Sequence, residues 1–497
     1  MRKYLMALDQ GTTSSRCIIF SQSGEMLASA SRELPQIFPA PGWVEHDPME
    51  IRATQIGAAA EALAKLGCLW SEIAAIGITN QRETTIVWER ASGRPITNAI
   101  VWQCRRTAEE CEDLINRGLG EKIREKTGLL PDPYFSATKL KYILDHTPGA
   151  RERAARGELC FGTVDTWLLF SLSGGSIFAT DHSNAARTML YNLSDGDWDD
   201  ELLSLFDIPR AMLPEIRPSA SLFGYTDPDI LGAKIPITGV AGDQQAALFG
   251  QGCHTKGSLK NTYGTGGFLL MNTGEAPVFN DSGLLTTVAW QIGDKPRCFA
   301  LEGSVFVCGS AVQWLRDGLG IIKSASETEA IARSVSDTGG LYLVPAFTGL
   351  GAPHWDPFAR GMMIGITRAT TRAEIVRATL EAMAYQSADV IELMQSSLGE
   401  SISELRVDGG AAANNFLLEF QSELLGIPVL RPSCIESTAL GAAALAGIGV
   451  GIYENENELA ACLSIERRFV PSISREKRSA LLDGWHRAVE RSLAWQK

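Results

Sequence analysis

Ala7-Leu8-Asp9-Gln10-Gly11-Thr12-Thr13-Ser14-Ser15-Arg16 is the stretch on which the reading of this chain turns. An apolar run, Tyr4 to Leu8, leads into it, and a second, Cys17 to Phe20, leaves it. Two strand-like runs joined by glycine and hydroxyl residues make a hairpin whose turn aims backbone N–H groups and Thr/Ser hydroxyls outward, with Arg16 adding positive charge. Such a turn suits an anion such as phosphate. The plain alternative is a Gly-Thr hairpin with a solvated tip. The choice depends on whether the chain also supplies a second phosphate loop, a base and an acceptor pocket.

The chain as a whole sets limits on that choice. Its 497 residues exceed a single ordinary core, so two domains of roughly 250 residues, or three smaller ones, are expected. Apolar residues make up 45% and charged residues 21%, as in a globular protein, and the formal net charge is −13. That charge repels nucleic acid and anionic membranes at long range, so neither is expected as a partner. The basic clusters Arg105-Arg106 and Arg151 to Arg156 read as solvated helix faces. Asp9 arrives before a leader's apolar core can form, and no apolar run reaches membrane-spanning length, so no signal peptide and no membrane insertion are expected. The ten cysteines show no CxxC pair and no zinc spacing with histidine. They read as free thiols in a reducing compartment, which points to the cytoplasm.

Downstream of the hairpin, Met26 to Ala30 is a third strand, and Asp47-Pro48-Met49-Glu50 starts a helix that Gly67 ends. The strand Ile73 to Thr79 runs into Asn80-Gln81-Arg82-Glu83, polar residues at the strand end where α/β sheets bind ligands. Ala99 to Trp102 is a short strand before a polar helix at about 105–116. Pro131-Asp132-Pro133 is a stiff turn that delivers Tyr134 ahead of a helix expected to be capped by Ser136. The decisive element is Ile237 to Leu248, an apolar strand, a Gly242-Asp243 turn and a small-residue helix, which sets Asp243 at a strand's C-terminal end. Gln251 to Gly257 reads as a linker, giving domains 1–250 and 251–497. Beyond it Ser258 to Phe268, with Tyr263-Gly264-Thr265-Gly266, repeats the opening pattern of strand, Gly/Thr turn and strand. The second half continues with a long helix announced by the box Thr371 to Glu374. Then come Leu405 to Gly410, a strand ending in an acid and two glycines, the helix 414–425, and an Ala-rich helix at 436–449.

Absences narrow the chemistry. The sequence has no GxxxxGK[ST], GxSxG or HExxH, and its one GxGxG string, Gly447 to Gly451, lacks the context of a dinucleotide fold. Two phosphate-gripping hairpins facing each other across an interdomain cleft suit a nucleoside triphosphate with magnesium. Asp9, beside the first hairpin, can hold Mg²⁺ through water, or it can simply cap the turn. Asp243 can take a proton from an acceptor hydroxyl, or cap the helix that follows, or do both. Arg82 and Glu83 can donate to and accept from neighbouring hydroxyls of a polyol, with Trp102 and Phe268 lining its carbon skeleton. The alternatives are a surface salt bridge for the charged pair and plain core packing for the two aromatics.

The strings Leu8 to Arg16, Pro41 to Pro48, Asn80 to Thr85, Val101 to Arg106, Ala241 to Gln245, Asn261 to Gly266 and Val407 to Gly410 recur in this order in one family. Over residues of about 4 to 490 the chain closely resembles the FGGY carbohydrate kinases, and among them the glycerol kinases. The resemblance implies an α/β fold of two actin-like, ribonuclease-H-like ATPase domains closing over a cleft. It implies ATP-dependent phosphorylation of glycerol to sn-glycerol 3-phosphate, feeding glycerol catabolism, with ATP and Mg²⁺ as co-substrate and cofactor and a homo-oligomer, dimer or tetramer, as the assembly. Carried over by position, Arg82, Glu83, Trp102, Tyr134, Asp243, Gln244 and Phe268 resemble the glycerol pocket, with Asp243 as base. Thr12, Thr13, Ser14 and Arg16 meet the phosphates from one side and Thr265 from the other. Gly309, Gln313, Gly410 and Asn414 supply the remaining nucleotide contacts.

The match is looser elsewhere. Tyr142 stands where the family signature around Tyr134 to His146 has Trp. The stretch Asp227 to Ile235 offers only Lys234 where some members bind a sugar bisphosphate through an arginine. No histidine lies between Tyr225 and Ile237, and Lys477 stands where some members carry a zinc-bridging glutamate. Two other functions remain open at this point. One is an FGGY kinase for a different polyol or ketose; the other is an actin-like ATPase that works as a filament or sensor without phosphorylating an acceptor.

Overall fold

The opening hairpin forms as β1 (Tyr4–Gln10) and β2 (Ser14–Phe20), antiparallel, with Asp9 opposite Arg16. The computed structural model describes residues 3–281, 283–434, 436–458 and 463–496. β1 and β2 are buried along nearly their whole length, which their continuous apolar runs require of strands covered on both faces. β3 (Met26–Glu33) extends the meander, three residues past the expected end. On the other side of β1 lie β4 (Ile73–Asn80) and β6 (Pro236–Gly242), both parallel to it, and β5 (Ala220–Tyr225) closes the edge, giving the order β5-β6-β4-β1-β2-β3.

Helix α1 (Pro48–Leu66) connects β3 to β4. Asp47 accepts from the Met49 N–H at 2.8 Å, Pro48 takes the first turn, and Gly67 ends the helix at φ 70°, all as the sequence predicts. Register places the ends of β1, β4 and β6 side by side, with Gln10 beside Asn80 and Asn80 beside Gly242. Asp9, Arg82, Glu83 and Asp243 therefore gather at one rim of the sheet, the C-terminal edge where ligands bind in such folds.

The second half repeats this plan. β7 (Leu259–Tyr263) and β8 (Gly267–Gly274) form the second hairpin, β9 (Leu285–Trp290) and β10 (Cys298–Val305) continue it, and β11 (Leu405–Asp408) and β12 (Val429–Pro432) run parallel beyond β7. With the edge strand β13 (Ile465–Phe469), the order is β9-β10-β8-β7-β11-β12-β13. Thr262 pairs with Asp408, so Gly264-Thr265 and Gly409-Gly410 share one rim. Helix α3 (Arg372–Leu398) starts in the expected capping box, and α4 (Asn415–Leu425) starts at Asn414, whose side chain accepts from the Leu417 N–H.

Two packing features join the halves. First, β9 and β10 contribute Leu285, Val288 and Phe299 to an apolar cluster otherwise built from residues 43–216. Second, helix α5 (Ser437–Gly449) lies directly on the first sheet and on α2 (Asp243–Gly250). Here close approach requires glycine: a Cβ on Gly77 would sit 2.0 Å from the Ala442 carbonyl oxygen, and one on Gly441 would sit 1.9 Å from that of Ala246. Thr238 Oγ1 adds a hydrogen bond to the Ala446 carbonyl at 2.9 Å.

One cap differs from expectation. The helix at Ser136–His146 has Phe135 at its cap position, and Ser136 turns its hydroxyl instead to the Glu83 carbonyl at 3.0 Å. Nine cysteines among the described residues are unbridged; Cys462 lies outside them. No helix among the described residues is long and apolar enough to cross a membrane.

Candidate active site

Glu83 follows β4 in a left-handed conformation, φ 63°, which is uncommon for a residue with a side chain and is held only where the surroundings fix it. Here they do. The Glu83 carbonyl accepts from Ser136 Oγ, from Lys139 Nζ at 3.1 Å and from Thr85 Oγ1 at 3.2 Å. The turn throws the Arg82 and Glu83 side chains to the rim, where both are almost wholly buried, so the pair is no surface salt bridge.

Their charges are balanced by two residues the sequence reading did not single out. Glu302, on β10, receives Arg82 on both oxygens at 2.6 and 2.9 Å and Arg187 at 3.0 Å. Arg187 also donates to Glu83 Oε1 at 2.7 Å. Burial alone raises the Glu302 carboxyl, but Arg187 and Arg82 outweigh it and hold it down at about 2; Glu83 stays above its ordinary value because burial prevails over the same two arginines. The network sets two arginines against two glutamates across both halves and reaches Asp243 through Arg82. Glu302 carried a signal, since it is the only acid in the apolar strand 298–305. Arg187, between Ala185-Ala186 and Thr188-Met189-Leu190, had none.

Tyr134 and Trp102 stand edge to face, ring centres 5.5 Å apart, and Arg82 Nη2 donates to the Tyr134 hydroxyl at 3.2 Å. Trp102 Nε1 donates to Thr12 Oγ1 at 2.9 Å, which ties the aromatic wall to the first hairpin. Asp243 is the first residue of α2, with Gly242 at the cap position. Its carboxylate accepts from the Gln244 N–H at 2.8 Å and from Gln244 Nε2 at 3.2 Å, and lies 3.3 Å from Arg82 Nε. It stays 31% exposed, open to the cleft, unlike the charges behind it.

These residues line a cavity of about 700 Å³: Thr12, Thr13, Arg82, Glu83, Trp102 and Tyr134 from the first half, with Asp243 and Gln244, and Thr265 and Phe268 from the second. A second cavity of about 580 Å³ lies wholly in the second half and is lined by Thr265, Gly309, Gln313, Gly410 and Asn414, with Tyr263, Val312 and Leu380 as an apolar wall. Thr265 lines both. The Thr265 turn is pinned by its own carbonyl, which accepts from the backbone N–H groups of Cys308 and Ser310 at 3.0 and 3.1 Å.

Three expected residues line neither cavity. Ser14 begins β2 at the hairpin. Arg16 pairs with Glu436, just ahead of α5. Asp9 sits behind the hairpin, nine-tenths buried; burial lifts its carboxyl to about 7, Arg16 opposing and Asp243 and Glu436 adding to the rise. Of the three carboxylates gathered there, Glu436 pairs with Arg16 and Asp243 with Arg82, and only Asp9 makes no ion pair with any described residue. Among the described residues no group of three or more His, Cys, Asp or Glu is spaced to hold a metal ion by itself.

Comparison with known proteins gives a consistent answer. Residues 4–250 match the N-terminal domain, and residues 259–450 the C-terminal domain, of the FGGY family of carbohydrate kinases. The chain is 57% identical over 497 residues to glycerol kinase 1 of Clostridium tetani, covering all of both chains. It is 57% identical over 495 residues to glycerol kinase 2 of Thermotoga maritima, again covering all of both. Among solved structures it is similar to the glycerol kinase of Plasmodium falciparum with ADP, at a TM-score of 0.93 and 36% identity over 99% of this chain and 98% of that one. A xylulose kinase from Lactobacillus acidophilus shares the fold, at a TM-score of 0.87 and 23% identity over 98% of this chain and 97% of that one.

Proposed function

This chain belongs to the FGGY family of carbohydrate kinases, and on that footing we propose that it transfers the γ-phosphoryl group of ATP to glycerol, giving ADP and sn-glycerol 3-phosphate. Its two halves are the actin-like, ribonuclease-H-like domains of that family, divided at 250/251. The observation that carries the reading is the pair of cavities meeting at Thr265: one is polar and aromatic and of a size for an acceptor and a triphosphate tail, the other has an apolar wall for a base.

Glycerol lies against Trp102, Tyr134 and Phe268, its hydroxyls meeting Arg82, Glu83 and Gln244. Asp243 takes the proton of the terminal hydroxyl as that oxygen attacks the γ-phosphorus. The bond from the γ-phosphorus to the β,γ-bridging oxygen breaks, ADP leaves with the electron pair, and the proton passes from Asp243 to water afterwards. Thr12 and Thr13 meet the transferring phosphoryl from one side and Thr265 from the other, while Gly309, Gln313, Gly410 and Asn414 hold the rest of the nucleotide, the last two near its adenosine. Arg16 joins them by exchanging Glu436 for phosphate. Asp9, the carboxylate beside the hairpin that pairs with no described cation, fits Mg²⁺, which it would hold through water. Such an ion would supply positive charge against the phosphates as the phosphoryl group moves. The unbridged thiols and the use of ATP support a cytoplasmic enzyme, and the family likeness supports a homo-oligomer.

The test is ATP consumption across a panel of glycerol, erythritol and pentuloses. Turnover that rises with glycerol above all others is expected. A preference for a longer sugar would reassign the acceptor, and turnover indifferent to any acceptor would favour an ATPase without transfer.

A further inference from the structure

Lys260 belongs to the second half, on β7, yet its ammonium ends against the acceptor pocket of the first. It is fully buried, and its three donors meet three acceptors: Gln244 Oε1 at 2.5 Å, Thr262 Oγ1 at 2.8 Å and the Phe268 carbonyl at 3.3 Å. An ammonium has no lone pair to offer, so the Gln244 atom facing it must be the carbonyl oxygen. That choice turns the amide NH₂ the other way, onto Asp243 Oδ2 at 3.2 Å. With the amide reversed, NH₂ would face ammonium and carbonyl oxygen would face carboxylate, both repulsive in a buried site.

We infer that Lys260 is a positioning residue: it fixes the orientation of the Gln244 amide and, through it, the direction of the Asp243 carboxylate that receives the substrate proton. This rests on the reading of Asp243 as the base. The remaining charged groups around the ammonium are Asp408, Arg82 and Glu302; burial draws Lys260 down to about 8, with Asp408 and Asp243 pulling the other way, so it is mostly charged at neutral pH. A proton acceptor on one half is thus aimed by a cation on the other, and the aim is set only when the halves are together.

The test is a double-mutant cycle of Lys260→Met and Gln244→Leu, read in steady-state kinetics with glycerol and ATP varied separately. Each single change is expected to lower kcat by about tenfold or more, because the interaction they share is made at the reacting group. KM for ATP stays within about twofold of the parent, since that substrate's base sits in the other cavity. The double variant should be no worse than the poorer single one. Independent, multiplying losses would overturn the inference, and so would Lys260→Met with parental kcat. Gln244→Glu covers the case in which Lys260→Met does not fold. It keeps an acceptor for the ammonium but offers no N–H to Asp243, so it should lose kcat as Gln244→Leu does, and parental kcat there would equally overturn the inference. Asp243→Asn tests the base by itself. If turnover survives that change the base lies elsewhere, whereas the cycle still reports whether Lys260 and Gln244 act as one unit.

Discussion

Asp243 lines the pocket and Lys139 lies enclosed outside it, and their surroundings set them different tasks. Asp243 keeps an open face on the cleft, so Asp243→Asn preserves shape while removing the proton acceptor. kcat is expected to fall by about 10²-fold or more with ADP binding retained, checked by steady-state kinetics and calorimetry; near-parental kcat would remove Asp243 from the role. Lys139 is wholly enclosed and donates to two carbonyls, of Glu83 and Tyr134, which is the number a neutral amine can serve. Burial lowers it from 10.5 to about 7. Between those values the unfolded chain binds the extra proton, so this residue's contribution to stability rises with pH across that window, by up to about 1.4 kcal/mol per pH unit. Denaturant unfolding at pH 7, 8 and 9 should therefore show the gap between the parent and Lys139→Met widening in the parent's favour. A gap that does not move with pH would mean the amine keeps its ordinary proton affinity. Arg82, Glu83, Tyr134 and Asp243 were legible from sequence because they sit at strand ends or on a stiff turn. Glu302, Arg187 and Lys260 were not, since each takes its meaning from a partner that only the folded chain brings near, as when Glu302 meets Arg82 from another half.

At the scale of elements, the local signals were readable and the packing was not. The cap of α1, the box opening α3 and both hairpins follow from residues within one turn of the chain. Ser136 has the chemistry of a cap, yet a long-range carbonyl acceptor on Glu83 competes for its hydroxyl and wins. Helix α5 read as Ala-rich; what such a composition does depends on what lies against it. With Gly441 in contact with the Ala246 carbonyl, Gly441→Val must push two helices apart. Overpacking of this kind costs roughly 1–3 kcal/mol or more, and thermal unfolding should drop by several degrees. An unchanged midpoint would show the joint to be looser than its spacing indicates.

For the whole molecule, the restart of the opening pattern at Ser258 was enough to expect two similar halves. It could not say that β9 and β10 dock on the first half, because their apolar residues would serve either core. Two cavities sharing one threonine make a further expectation. ADP and glycerol should each raise the midpoint of thermal unfolding alone, a ligand at a hundred times its Kd adding about 2.7 kcal/mol. Scanning calorimetry checks this, and an absent shift with ADP would place the nucleotide elsewhere. The joint between the halves has one more consequence. Across its 13 residues α5 meets its neighbours mostly with alanine methyls and main chain, which have no rotamers to reset when the surfaces turn against each other, while Leu440 and Leu445 are the buried apolar side chains that do. In an engineer's terms it is a bearing with two teeth. Any turn of one jaw against the other is resisted mainly where those two leucines seat, and a further bulky residue placed there would be a pawl that locks one angle in.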